Sequence, residues 1–333
     1  MPPNVPLRGL VLGGGNALGA YHAGVYQALA EAGETPTWIA GTSIGAITAA
    51  LIAGNPAERR IERLRSFWDR AAAPDWVPGL RRASQWAGAL EARLLGRPDL
   101  FRPRLPLFGG PPDRMGFYDP APLRRLLREL IDFERLHTGG IRVSVVALDL
   151  ESGEEAVFDT AHSRIEVDHL LASTALIPDF PPVRVGERWL VDGGFANNTP
   201  VDVMLGAPPE PMACFVADLF PLAGPLPRDL ASLGMRQSDL TFATQTARTL
   251  RLLSAQEAAR TGPRVDVVPV AYGAEAEESS LKSWDFSTGT VRRRWDAGRA
   301  DMTAALAAWR EVPAREHGMV VHPAPGGAPR AGG

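Results

Sequence analysis

Gly41-Thr42-Ser43-Ile44-Gly45 follows Thr37-Trp38-Ile39-Ala40, short and β-prone, and precedes Ala46-Ile47-Thr48-Ala49-Ala50-Leu51-Ile52-Ala53, apolar and helix-compatible. Gly54-Asn55-Pro56 closes that run. The stretch therefore reads as strand, turn and helix, with a serine on the turn. Glycine on each side, at Gly41 and Gly45, lets the backbone fold tightly enough to expose the hydroxyl beside a helix N-terminus. G-x-S-x-G alone is common by chance, but this context makes Ser43 a candidate nucleophile.

Upstream, Arg8-Gly9-Leu10-Val11-Leu12 reads as a buried strand running into Gly13-Gly14-Gly15-Asn16-Ala17-Leu18-Gly19. Ala20 to Glu31 then carries Tyr21, Val25, Ala28 and Leu29 at helical spacing and stops at Gly33. A glycine run between strand and helix presents backbone N–H groups at a helix N-terminus, an anion site. A dinucleotide site wants G-x-G-x-x-G; the spacing here is Gly13-x-Gly15-x-x-x-Gly19, and no acid ends a second strand to meet a ribose. A P-loop needs Gly-Lys-Ser/Thr, and the chain's one lysine is Lys282. An oxyanion hole needs only N–H donors near a nucleophile, and Ser43 opens the next strand-to-helix turn. Successive parallel strands would bring both turns to one sheet edge. A plain tight turn stays open as the alternative.

A serine needs a base. Of the six histidines, only His317 and His322 come late enough for the Ser–acid–His order of α/β-hydrolases, and both sit in a Pro/Gly-rich tail. That fold would also place several strands before its serine, and Ser43 has room for about two. His22 reads as a helix-face residue, and His162 and His169 as surface or capping residues. A carboxylate is the better partner. Arg188-Trp189-Leu190-Val191 reads as a strand ending in Asp192-Gly193-Gly194, and an acid held on such a turn can take a proton directly from a serine. An ordinary Asp-Gly-Gly turn is the competing reading.

LVLGGGNALGAYHAGVYQAL, AGTSIGAI and DGG, in that order, resemble the patatin-like phospholipase family. Ala172 to Pro178, Phe180 to Val183 and Asn197 to Val201 resemble what flanks that family's aspartate. Lys282 to Phe286 and Trp295 to Asp301 are similar to the C-terminal part of a bacterial subgroup, so the likeness runs over about residues 7 to 310. The resemblance implies a three-layer α/β fold with a mainly parallel central sheet, helices on both faces and an inserted cap. It implies Ser43 as nucleophile, Asp192 as base with Gly193 and Gly194 around it, and Gly14, Gly15 and Asn16 as the oxyanion hole. The implied activity is hydrolysis of lipid acyl esters through an acyl-enzyme, without cofactor or metal. A polyester or small-ester esterase, or a weakly active lipid-binding relative, stays as the alternative. Two positions depart from the family: Asn16 replaces a glycine, and Leu18 a basic residue. Asn tolerates positive φ; the missing cation weakens the field at the site.

Composition fits a soluble enzyme, with 45% hydrophobic residues and a net charge of −3 that gives no nucleic-acid signal. Cys214, the one cysteine, lies in Ala213-Cys214-Phe215-Val216 and reads as buried and inert. The start, Met1-Pro2-Pro3-Asn4, lacks a signal peptide, and no run has the length of a membrane span, so cytoplasmic residence is expected. Alternating strands and helices run to about Arg70, including a helix opened by Asn55-Pro56. From residue 74 to 116, prolines, arginines and large apolar residues mix without a sustained period: a cap with a peripheral lipid-surface face, or an insertion packed on the core. The hydrolase domain is expected over 1–311, with 212–311 its C-terminal part. Helices are expected over Pro120–Ile131, Ala231–Arg260 and Val291–Trp309, strands over Ile141–Leu150 and Glu155–Phe158, and a disordered tail over 312–333. No histidine, cysteine and carboxylate cluster has metal-ligand spacing.

Overall fold

Strand β1 (Leu7–Leu12) sends Leu10 and Leu12 into one apolar core and Val11 into another. Period-two alternation buried on both faces needs a layer on each side of the sheet. The computed structural model describes residues 7–75, 81–105, 109–206, 208, 210–258, 262–273, 278–279, 281–313 and 317–324. Between β1 and the next strand lies α1 (Ala20–Glu31); β2 (Trp38–Thr42) leads into α2 (Ile44–Ala53), then α3 (Arg60–Ala71) and α4 (Arg81–Leu95). Short strands β3 (Arg102–Pro103) and β4 (Tyr118–Asp119) pair antiparallel and precede α5 (Ala121–Leu130) and α6 (Arg135–Thr138). Next come β5 (Arg142–Asp149), β6 (Glu155–Asp159), α7 (Val167–Ser173), β7 (Val183–Val185), β8 (Arg188–Asp192) and α8 (Val201–Leu205). The chain ends in β9 (Met212–Asp218), α9 (Leu230–Ala258), β10 (Val265–Ala271), α10 (Thr288–Glu311) and β11 (Met319–Val321).

Among the described residues nine strands form one sheet, ordered β11-β10-β9-β1-β2-β5-β8-β7, with β6 also on β5. Every pair from β11 across to β5 is parallel; β6 and β8 pair antiparallel with β5, and β7 pairs antiparallel with β8. One face carries α1, α2 and α10 against Leu10, Ile39 and Phe215; the other carries α8 and α9 against Val11, Ala40 and Cys214. This is the α/β layering expected, with a mainly parallel sheet. Leu12 pairs with Gly41, so the glycine loop after β1 and the serine turn after β2 leave the same sheet edge, as neighbours.

Several elements differ from expectation. Residues 74–116 contain a fifteen-residue helix, α4. Its buried face carries Ser84, Gln85, Gly88, Ala89 and Ala92, too small and polar to give a core-helix period. Trp76, Val77, Leu107 and Phe108, and the side chains of Arg81 and Arg82, lie outside the described residues. Pro56 precedes a 3-10 turn at Ala57–Arg59, and the α-helix starts only at Arg60. The tail is ordered in part: β11 pairs parallel with β10, and His322 Nε2 lies 3.1 Å from Asp266 Oδ1. Residues 325–333 are outside the described set. Cys214 is buried as expected; burial pushes its thiol up to about 12. No helix among the described residues is long and apolar enough to cross a membrane.

Candidate active site

Ser43 sits between β2 and α2 with φ 57° and ψ −124°, a conformation non-glycine residues rarely adopt and whose cost is of order 1–3 kcal/mol. The surroundings hold it there. Ser43 N–H donates to Ser173 Oγ at 2.8 Å, and Ser173 donates in turn to the Val146 carbonyl at 2.6 Å. A Cβ on Gly41 would stand 2.5 Å from the Gly45 carbonyl, and one on Gly45 2.1 Å from the Leu12 oxygen. Both glycines are therefore required by close approach. The tight turn lifts the hydroxyl, which donates to Asp192 Oδ2 at 2.7 Å.

Strand register brings that carboxylate into reach. Thr42 is level with Val146, and Ala147 is level with Asp192, so one strand, β5, separates serine from acid. Asp192 ends β8 and is buried; its other oxygen, Oδ1, accepts the Gly194 N–H at 2.8 Å. Burial raises its pKa to about 6, while the bonds from Ser43 and Gly194 pull the other way. A carboxylate tuned to that range is ionised at neutral pH yet basic enough to take a proton.

The glycine loop after β1 lies against the serine: a Cβ on Gly14 would fall 3.2 Å from Ser43 Cβ and 2.5 Å from Asn198 Oδ1. Asn16 has φ 53°, the positive value its asparagine tolerates. One expected donor is otherwise engaged. Gly14 N–H donates to the Asn198 carbonyl at 2.9 Å, as Gly13 N–H does to Ala217 at 3.1 Å. No described residue accepts from the N–H groups of Gly15 and Asn16, so the open pair is shifted one residue along from Gly14. Leu18, where a cation was missing, is fully buried in the apolar core. Beside it the guanidinium of Arg294, from α10, donates to the Ala17 carbonyl at 3.0 Å and binds Glu278 through both carboxylate oxygens at 2.9 and 2.8 Å. The loop thus meets a cation whose charge is already paired.

Three positioning groups were not singled out by sequence reasoning. Ser173 has been described. Asn198 holds Gly14 twice, through its carbonyl and through Nδ2, which donates to Gly14 O at 3.3 Å. Gln245 of α9 accepts the Asn198 N–H at 2.9 Å and donates to the Gly194 carbonyl at 3.3 Å, tying the loop to the base. Ser173 and Asn198 fall in the flanking segments whose likeness was noted; Gln245 gave no local signal. The histidines stand apart from the dyad. His22 lies on α1 and is wholly buried, and burial lowers its pKa to about 3. His169 caps α7 with Glu166, and His322 pairs with Asp266 at the N-terminal end of β10, opposite the site.

Ser43, Asp192, Gly14, Gly15 and Asn16 open into a cleft of about 1060 Å³ including its mouth. Phe67, Leu100, Phe101, Phe180, Phe220 and Trp284 make much of its wall. Phe101 is central to an aromatic cluster, 5.0 Å from Tyr118, 5.4 Å from Phe180 and 5.7 Å from Trp284, centroid to centroid. No arginine or lysine stands among the described lining residues. Nor do the described residues hold a metal-competent group of three or more His, Cys, Asp or Glu.

Known proteins share parts of this sequence. An uncharacterized NTE family protein of Mycobacterium tuberculosis is 32% identical over 200 residues, 59% of this chain and 28% of that protein. Human patatin-like phospholipase domain-containing protein 6 is 27% identical over 194 residues, 58% of this chain and 12% of its own. The chain thus spans under a third of the length of either relative. The structure of human GIVD cytosolic phospholipase A2 matches 92% of this chain and 58% of its own with a TM-score of 0.46 and 16% identity. A family model described as patatin phospholipase matches residues 239–316. The model described as patatin-like phospholipase matches residues 10–205, more than half of the chain, with the glycine loop, Ser43 and Asp192 inside the match, so the chain belongs to the patatin-like phospholipase family.

Proposed function

We propose that the protein is a serine acyl-ester hydrolase acting on lipid acyl esters through a Ser43–Asp192 dyad. The observation that carries the reading is the 2.7 Å hydrogen bond from Ser43 Oγ to a buried carboxylate at the floor of an apolar cleft. Asp192 takes the Ser43 proton as Oγ attacks the ester carbonyl. The N–H groups of Gly15 and Asn16 face the oxygen that gains charge; one such donor typically contributes roughly 3–4 kcal/mol. Collapse of the tetrahedral intermediate expels the alcohol, which leaves with the proton from Asp192, and an acyl-enzyme remains. Water, giving a proton to Asp192, then attacks the acyl carbonyl; collapse breaks the acyl–Oγ bond, frees the acid and returns that proton from Asp192 to Ser43 Oγ. The aromatic wall, with Phe67, Phe101, Phe180 and Trp284, supports an acyl chain as the part of the substrate held in the cleft. In this reading residues 74–116 cap the cleft, and the whole of 1–311 is one hydrolase unit. The test is intact-protein mass after treatment with a fluorophosphonate. One adduct that Ser43→Ala abolishes is expected; no adduct on folded wild type refutes the assignment. An ester chain-length series then separates a lipid acyl hydrolase from a small-ester esterase.

A further inference from the structure

Helix α4 is amphipathic the wrong way round. Its buried face holds Ser84, Gln85, Gly88, Ala89 and Ala92, while Trp86, Leu90 and Leu94, at i, i+4 and i+8, are 48%, 52% and 63% exposed. A soluble helix that turns its large apolar residues to water marks a contact surface. The same excursion exposes Leu105 and Phe117, on segments joined where Arg104 N–H donates to the Phe117 carbonyl at 2.8 Å. We infer that this face of α4 seats the protein on a lipid surface, over the cleft. The inference rests on the acyl-ester reading above, whose substrate resides in such a surface.

Three observations favour lipid over another protein. The face continues the substrate cleft: the exposed Arg93 of α4 sets its guanidinium 5.1 Å from the ring centroid of Trp284, a lining residue, and its carbonyl accepts from Tyr118 at 2.6 Å. The residue types are those of an interfacial helix, with a tryptophan, leucines and a neighbouring arginine whose stem can lie along apolar surface. The helix's one acid, Glu91, is turned to the buried Arg97 at 2.8 Å, so no unpaired carboxylate of α4 faces the lipid phosphates. Apolar contact is then the main source of binding, and phosphatidylcholine vesicles without net charge should suffice.

The probe is flotation of the Ser43→Ala protein with phosphatidylcholine vesicles at low and high salt, compared with the same protein carrying Leu90→Glu and Leu94→Glu. Binding that persists in salt and falls about tenfold or more in the double variant is expected. In protein with an intact Ser43, the double variant should hydrolyse dissolved p-nitrophenyl butyrate at the native rate and vesicle-borne ester about tenfold more slowly. No flotation, flotation that the double variant leaves unchanged, or binding that salt removes would each overturn the inference. So would a dimer that the double variant splits without any vesicle binding, since a second copy would then own the face. Failure here is distinct from failure of the hydrolase reading. Turnover of the dissolved ester without flotation sinks the surface alone; flotation without turnover sinks the hydrolase.

Discussion

Asp192→Asn should make the protein more stable as it becomes inactive, and only above a definite pH. The Asp192 pKa rises from 3.8 to about 6 because folding buries the carboxylate. Well below pH 4 folded and unfolded chains both hold the proton, and at pH 4 the group costs the folded chain only about 0.5 kcal/mol. As pH passes 6 the folded chain must carry a buried charge that the unfolded chain carries in water. Two units at 1.36 kcal/mol each give a native-state cost of about 3 kcal/mol at pH 8. Asparagine keeps the shape, can accept from Gly194 N–H, and bears no charge. With unfolding entropy near 2.1 cal/mol/K per residue, about 3 kcal/mol over 333 residues is a rise in Tm of about 4 °C. Calorimetry of both proteins at pH 4 and pH 8 reads it directly: Tm values within about 1 °C at pH 4, a higher Tm for the variant at pH 8, and no turnover by the variant at either. An equal shift at both pH values, or a variant less stable at pH 8, would refute the argument that burial sets this pKa.

Three further outcomes follow from the same geometry. kcat/KM on a dissolved ester should drop about tenfold per pH unit below about 6, as Asp192 gains its proton; a flat profile between pH 4.5 and 7 removes it as base. Ser173→Ala deprives Ser43 N–H of its acceptor, at a cost of about 1–3 kcal/mol, and should slow fluorophosphonate labelling about tenfold or more; native labelling would show that the turn is held by other contacts. Asn16→Gly should label like wild type, whereas Asn16→Val, β-branched at φ 53°, should label poorly, and equal rates for the two would mean that this backbone angle is not needed.

The residues that carry local patterns were legible in the sequence. Gly41 and Gly45 sit in a five-residue motif because two atoms there approach too closely for a Cβ, and Asp192 is marked by the glycines that end its strand. What pairs the two motifs, the level of Thr42 with Val146 and of Ala147 with Asp192, is a property of the sheet and has no local signal. Gly14 looked like a donor because its glycine is required, but the glycine is needed for approach to Asn198, whose carbonyl takes the N–H. Helix α4 was missed for a related reason. Periodicity reports a buried apolar face, and α4 buries alanine, glycine, serine and glutamine instead. His322 lay in a run of prolines and glycines that read as tail, yet a three-residue strand and one carboxylate fix it.

Strand β1 lies inside the sheet, between β2 and β9, and this has a bearing on when the site comes into being. A nascent chain that has left the ribosome as far as Leu205 already contains Ser43, Asp192 and both glycine turns. It does not yet contain Ala217, which holds Gly13, or Gln245, which ties Asn198 to Gly194, or Arg294, which reaches the Ala17 carbonyl. Its β1 is an open edge, ready to pair with any strand it meets. Translation therefore delivers the chemistry's parts early and their alignment late. Stalled chains ending before β9 should resist a fluorophosphonate that labels the released protein, and equal labelling would show that the first 205 residues align the site alone.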